Sequence, residues 1–145
     1  MEYHQALKKM NKTFCPFCNE KPENIVEISD NFYILIPRAP YVKDHLLVVP
    51  RRHICFLNEL KNREAKEMYD LIEKWTLLLH KKHKDVNLLL RDWLVWWVSE
   101  KSINHLHFHL IPDCPIWNEK SKENRIFLSE KDYKKETEKL RAKFL

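Results

Sequence analysis

None of the 145 residues is glycine, and that absence constrains the fold more than any single motif does. Glycine adopts positive φ without steric cost. Tight turns in this chain must therefore be built from Asn, Asp and Pro. Gly-rich dinucleotide loops and Walker-type phosphate loops are excluded as well, because both need glycine where the backbone meets phosphate.

The most informative stretch is His105-Leu106-His107-Phe108-His109-Leu110-Ile111-Pro112. In a strand, successive side chains point to opposite faces. His105, His107 and His109 then share one face, and Leu106, Phe108 and Leu110 share the other, which is suited to packing. Buried imidazoles need hydrogen-bond partners. Each can also serve as metal ligand, nucleophile or proton carrier near neutral pH. The alternative is an exposed strand face that happens to be rich in histidine.

Elsewhere the pattern predicts short strands at Ile25 to Ile28, Phe32 to Pro37, His45 to Pro50 and Asn87 to Arg91, and a further strand at His105 to Pro112. Between the third and fourth, Leu57, Leu60, Ala65, Met68, Leu71, Ile72, Trp75 and Leu79 recur at helical period, predicting a main helix within Leu57 to His83. Its Met and Trp are expected in the core. Tyr3, Leu7 and Met10 suggest a short N-terminal helix, while Ser129 with Asp132 suggests a C-terminal helix start, followed by Tyr133, Leu140 and Phe144. The β-β-β-α-β-β order predicts an α+β fold: an antiparallel sheet with a long helix across it and helical extensions at both ends.

With 44% apolar residues over this length, one domain spanning 1–145 is expected: a short helix and metal turn over 1–20, a core over 21–113 and an extension over 114–145. The formal charge of +5 suits anionic partners such as nucleotides, polyphosphates or nucleic acid, and equally suits a solvated lysine-rich surface. No apolar run has the length of a signal peptide or a membrane span, so a cytoplasmic protein without membrane association is expected. Cys15-Pro-Phe-Cys18 then reads as a metal or redox pair and not as part of a disulfide framework. Two thiolates at this spacing can hold Zn²⁺ from a tight turn, with His53 and a triad histidine as the obvious further donors. Cys55 and Cys114 stand alone. A different arrangement would place all three triad histidines on one catalytic metal.

The triad is similar to the His-φ-His-φ-His-φ-φ signature of the histidine triad (HIT) superfamily. His45-Leu-Leu-Val-Val-Pro50-Arg-Arg-His53 resembles that family's second block, a strand opened by His and closed by Pro-basic-x-His. With the cysteine pair, the resemblance spans Cys15 to Pro112. It implies the sheet-and-helix fold above and a two-fold homodimer, in which the apolar Trp93 to Val98 segment is a plausible interface. His107 would attack the α-phosphorus of a nucleotide and form a nucleotidyl-histidine. His109 would hydrogen-bond the phosphate, and His45 would orient the triad or contact substrate. Zinc-bearing branches imply a structural Zn²⁺ on Cys15, Cys18, His53 and His105, with no coordination position open. Ser102 matches a phosphate-contacting Ser/Thr, and Lys101 stands where Gln is usual and offers a cation to phosphate. Arg91 and Trp93 resemble a divergent HIT-like branch, and the Asn and glycine-rich loop that usually precede the triad are replaced by Leu94 to Ser102.

The implied activity is nucleotide hydrolysis or nucleotidyl transfer on a dinucleoside polyphosphate, a nucleoside phosphoramidate or a similar conjugate. The competing reading is a zinc-bearing protein that binds nucleotide or nucleic acid with little turnover, which the missing loop favours.

Overall fold

The computed structural model describes residues 15–92, 103–114 and 126–145. The predicted N-terminal helix, Trp93 to Val98, Lys101, Ser102 and the start of the C-terminal extension lie outside those residues.

Among the described residues, five strands form one antiparallel sheet: β1 (Ile25–Ile28), β2 (Phe32–Leu35), β3 (Leu46–Pro50), β4 (Val86–Leu90) and β5 (Phe108–Pro112), in the order β1-β2-β3-β5-β4. Two helices follow the expected places, α1 (Asn62–His80) and α2 (Glu130–Phe144). The fold is α+β, as the element order predicts.

Strand β3 starts one residue later than expected and β4 lies one residue earlier, and three larger differences have a physical cause. Helix α1 starts five residues later than the apolar stripe suggests, because Leu57–Glu59 closes as a 3-10 turn. The buried Glu64 then accepts the Lys61 N–H at 2.9 Å and binds Arg52 at 2.8 Å, capping the helix there. Strand β2 ends at Leu35 instead of Pro37; proline has no N–H to extend a ladder. Strand β5 begins only at Phe108. His105 to His107 lie before it, aligned beside the 53–55 segment by the Leu106 N–H bond to the Ile54 carbonyl at 2.7 Å.

Alternation along the strands divides the apolar residues between two faces. Phe32, Ile34, Leu46, Val48, Phe108 and Leu110 pack on one side with Leu71, Trp75 and Leu79 of α1 and Tyr133 and Leu140 of α2. Trp75 is fully buried, and its indole N–H reaches Glu27 at 2.8 Å. On the opposite side Leu35, Leu47 and Val49 pack with Phe17 from the cysteine turn. The register pairs Leu47 with His109, so the histidines take the face turned away from the helices.

Helix α2 starts as predicted: Ser129 Oγ accepts the Asp132 N–H at 3.1 Å. The buried Tyr133 hydroxyl donates to the Ile36 carbonyl, tying α2 to the end of β2. Tyr133→Phe removes that bond and leaves the carbonyl short of a donor. A loss of about 0.5–1.5 kcal/mol is expected, to be read from urea unfolding curves; an unchanged midpoint would count against a structural role for the hydroxyl.

Candidate functional site

The turn from Cys15 to Cys18, the segment after β3 and the residues before β5 converge on one metal-sized gap. Among the described residues, Cys15, Cys18, His53 and His105 gather their donor atoms within 4.8 Å of one another. Cys15 Sγ lies 3.3 Å from His105 Nδ1, Cys18 Sγ 3.1 Å from His53 Nδ1 and 3.6 Å from His105 Nδ1, and the two Nδ1 atoms are 3.1 Å apart. Tetrahedral Zn²⁺ with Zn–S of about 2.3 Å and Zn–N of about 2.0–2.1 Å sets its ligand atoms about 3.3 to 3.8 Å apart. The spacing fits.

The chemistry of the donors fits as well. His105 is fully buried and its Nε2 lies 2.8 Å from the Pro50 carbonyl. A carbonyl only accepts, so Nε2 carries the hydrogen and the Nδ1 lone pair faces the cysteines. Burial, aided by a hydrogen bond and charge from Cys15, pushes the Cys18 thiol up to about 12. A thiolate here therefore needs a cation beside it.

The other two triad histidines turn to different partners. His107 Nδ1 lies 2.7 Å from the His105 carbonyl, so Nδ1 is the donor and the basic lone pair sits on Nε2. The edge of Phe17 packs on this ring at 5.3 Å between centroids and on His105 at 5.7 Å. His109 Nδ1 lies 2.9 Å from His45 Nε2, and the Tyr41 N–H donates to His45 Nδ1 at 3.1 Å. Because a backbone N–H only donates, the hydrogen of a neutral His45 is on Nε2, it passes to His109 Nδ1, and His109 carries its own hydrogen on Nε2. A single backbone group thus sets each tautomer: Pro50 O for His105, His105 O for His107, Tyr41 N for the His45–His109 pair. His107 and His109 stand 4.9 Å apart, ring to ring.

The three histidines do share one face. They do not share one metal: only His105 reaches the cysteines, so the arrangement with all three on one catalytic ion does not fit. His45, His107 and His109 lie next to one another, and Cys15, Cys18, His53 and His105 form a second group. Lys101 and Ser102 lie outside the described residues. Sequence reasoning missed Tyr41 and Pro50, which act through backbone atoms that carry no side-chain signature. It also missed Phe17, whose position between the two cysteines was the available hint.

Comparison with known proteins places this geometry. The family described as "Protein similar to CwfJ C-terminal" matches residues 3–127. The chain belongs to that family, within the HIT superfamily. This HIT protein is 29% identical over 101 residues to an uncharacterized HIT-like protein of Methanocaldococcus jannaschii, covering 68% of this chain and 76% of that one. It is 28% identical over 74 residues to an adenosine 5'-monophosphoramidase of Schizosaccharomyces pombe, covering 51% of this chain and 52% of the relative, so the match spans about half the length of that protein. A Zn-bound histidine triad family protein of Mycobacterium smegmatis has the same fold, with a TM-score of 0.64, 18% identity and coverage of 90% and 92% of the two chains.

Proposed function

We propose that this HIT protein is a nucleotide phosphohydrolase or nucleotidyl transferase that works through a nucleotidyl-histidine on His107. The observation that carries the reading is the anchored ring of His107: its Nδ1 is held 2.7 Å from the His105 carbonyl, and its lone pair is on Nε2. Attack by Nε2 on the α-phosphorus forms an N–P bond and expels the leaving group with its electron pair. The Nδ1–H bond to the carbonyl steadies the charge that develops on the imidazole. His109 would offer its Nε2–H to a phosphate oxygen or the leaving group, backed by His45. Water or a second acceptor then attacks phosphorus, breaks the N–P bond and returns the lone pair to His107. Lys101 and Ser102 remain proposed phosphate contacts on the resemblance alone. The activity named for the fission-yeast relative supports a nucleoside phosphoramidate or similar conjugate as substrate class.

Zn²⁺ would be held by Cys15, Cys18, His53 and His105. With four protein ligands it would hold the triad segment in place and leave no position for water. The Zn-bound HIT neighbour supports this choice of ion. Both helices pack against the same core cluster, which supports reading 1–145 as one domain. A homodimer remains a proposal from the resemblance, and a cytoplasmic setting one from the sequence pattern, which suits four cysteines that form no disulfide among the described residues. Among the described residues no helix is long and apolar enough to cross a membrane.

The test is intact-protein mass spectrometry after brief mixing with an adenosine phosphoramidate at mildly alkaline pH. The expected result is a mass increase of one adenylyl group. Bound substrate with neither adduct nor product would favour the second reading, a zinc-bearing nucleotide-binding protein with little turnover. The complete lack of glycine is the observation on its side.

A further inference from the structure

Two described residues have a left-handed backbone, Asp44 with φ of 66° and Asp113 with φ of 49°. Asp44 is the third residue of a turn closed by the His45 N–H to the Val42 carbonyl at 3.3 Å, a position where a positive φ ordinarily selects Gly or Asn. That turn leads directly into His45. Asp113 immediately follows β5, the strand of His109, and its Oδ1 accepts the N–H groups of Lys84 at 3.0 Å and Asp85 at 2.9 Å.

Both carboxylates meet at one ring. His83, just past the end of α1, places Nε2 2.7 Å from Asp44 Oδ2 and Nδ1 3.0 Å from Asp113 Oδ2. Lys143 of α2 binds the same Asp44 oxygen, and Lys43, Glu136 and Lys139 line the cavity beside them. A neutral imidazole has one N–H. Only the imidazolium donates to both carboxylates.

We propose that His83 is a positioning residue for the His45–His109 pair: its imidazolium clasps the turn that launches His45 and the turn that ends the His109 strand, fixing the two in register. The proposal rests on the catalytic reading above only for its effect on turnover. The clasp also explains how a chain without glycine sustains two left-handed turns beside its site, since each unfavourable residue is fastened by its own carboxylate.

The pH dependence follows from the partners. Burial alone would pull the Asp44 carboxyl upward, but the hydrogen bonds and charge of Lys143 and His83 outweigh it and hold Asp44 below the usual carboxylate range. Backbone donation from Asp85, with His83, does the same for Asp113. The carboxylates thus stay ionised until pH falls below that range, and the clasp loosens on the acid side as they are protonated.

The test is ¹⁵N-resolved NMR of the imidazoles in zinc-loaded wild type, His83→Gln and Asp44→Gly, the last keeping the freedom for positive φ while removing the carboxylate. Wild type should show His45 and His109 each in one tautomer, with hydrogen on Nε2. Both variants should show averaging between tautomers. Turnover of the adenosine phosphoramidate should drop about 10- to 100-fold in kcat, the scale of a misplaced reacting group, with KM little changed. Unaltered His45 and His109 resonances in both folded variants would overturn the clasp. Should His83→Gln fail to fold, Asp44→Gly alone decides the matter. Single tautomers in a wild-type protein that turns over no substrate, with averaging in the variants, would support the clasp while refuting the enzymatic reading.

Discussion

Alanine at His107 is expected to abolish the adenylyl adduct and to slow nucleotide release at least about 10⁴-fold, the range seen when a nucleophile acting within a catalytic unit is removed. His109→Ala, which removes a hydrogen-bond donor and leaves the attacking ring in place, should cost less, about 10²- to 10⁴-fold. The order of the two effects is the informative quantity. His107 touches neither the cysteines nor His53 in its hydrogen bonding, so His107→Ala should keep its full metal content, and zinc analysis of the same preparation separates lost chemistry from lost structure. A His107→Ala protein that releases nucleotide within tenfold of wild type would remove His107 from the role of nucleophile.

The second large effect concerns the metal group. Purified protein should carry one zinc per chain, and Cys18→Ser should lose it together with at least about 3 kcal/mol of stability, since loss of a structural metal belongs to the mechanisms behind the largest single-residue effects. The melting curve and the metal content should fall together. The four proposed ligands come from three separate stretches of chain, so without an ion two thiols and two imidazole nitrogens would be left crowded, with Nδ1 of His53 and Nδ1 of His105 only 3.1 Å apart. Loss of zinc should also loosen His107, because Phe17, which sits between the two cysteines, packs on that ring. Metal binding displaces protons from the ligands, so affinity should weaken as pH falls, which a chromogenic zinc indicator can follow. Cys18→Ser protein with full zinc and an unshifted melting curve would show that the group is not a metal site.

The sheet, its order of elements and the histidine face were legible because they depend on local periodicity. Leu106, Phe108 and Leu110 alternate with the triad, so the two faces of that stretch can be read from neighbouring residues alone, whereas Leu46 to Val49 is apolar throughout and its faces are told apart only in the structure. The stripe from Met68 through Trp75 to Leu79 similarly predicted the helix and its buried side. Its start was less legible, since Glu64 caps α1 in company with Arg52, twelve residues away. The candidate metal group was legible in part: the cysteine pair and His53 were read from spacing and motif, whereas His105 was named from resemblance, and its Nδ1 lies near both sulfurs.

What the sequence determined on its own was the set of chemical groups and the face each one takes: three imidazoles opposite three apolar side chains, a thiol pair in a tight turn, and turns obliged to use Asp where glycine is absent. Only the tertiary structure decided which nitrogen of each ring carries the proton and which carboxylates meet His83. Those choices depend on partners such as Pro50 for His105, Tyr41 for His45, and Asp44 and Asp113 for His83. Periodicity along a strand is imposed by the residue's own backbone, but a tautomer or an ion pair is imposed by whatever folding brings within about 3 Å, and most of those partners are tens of residues away in the chain.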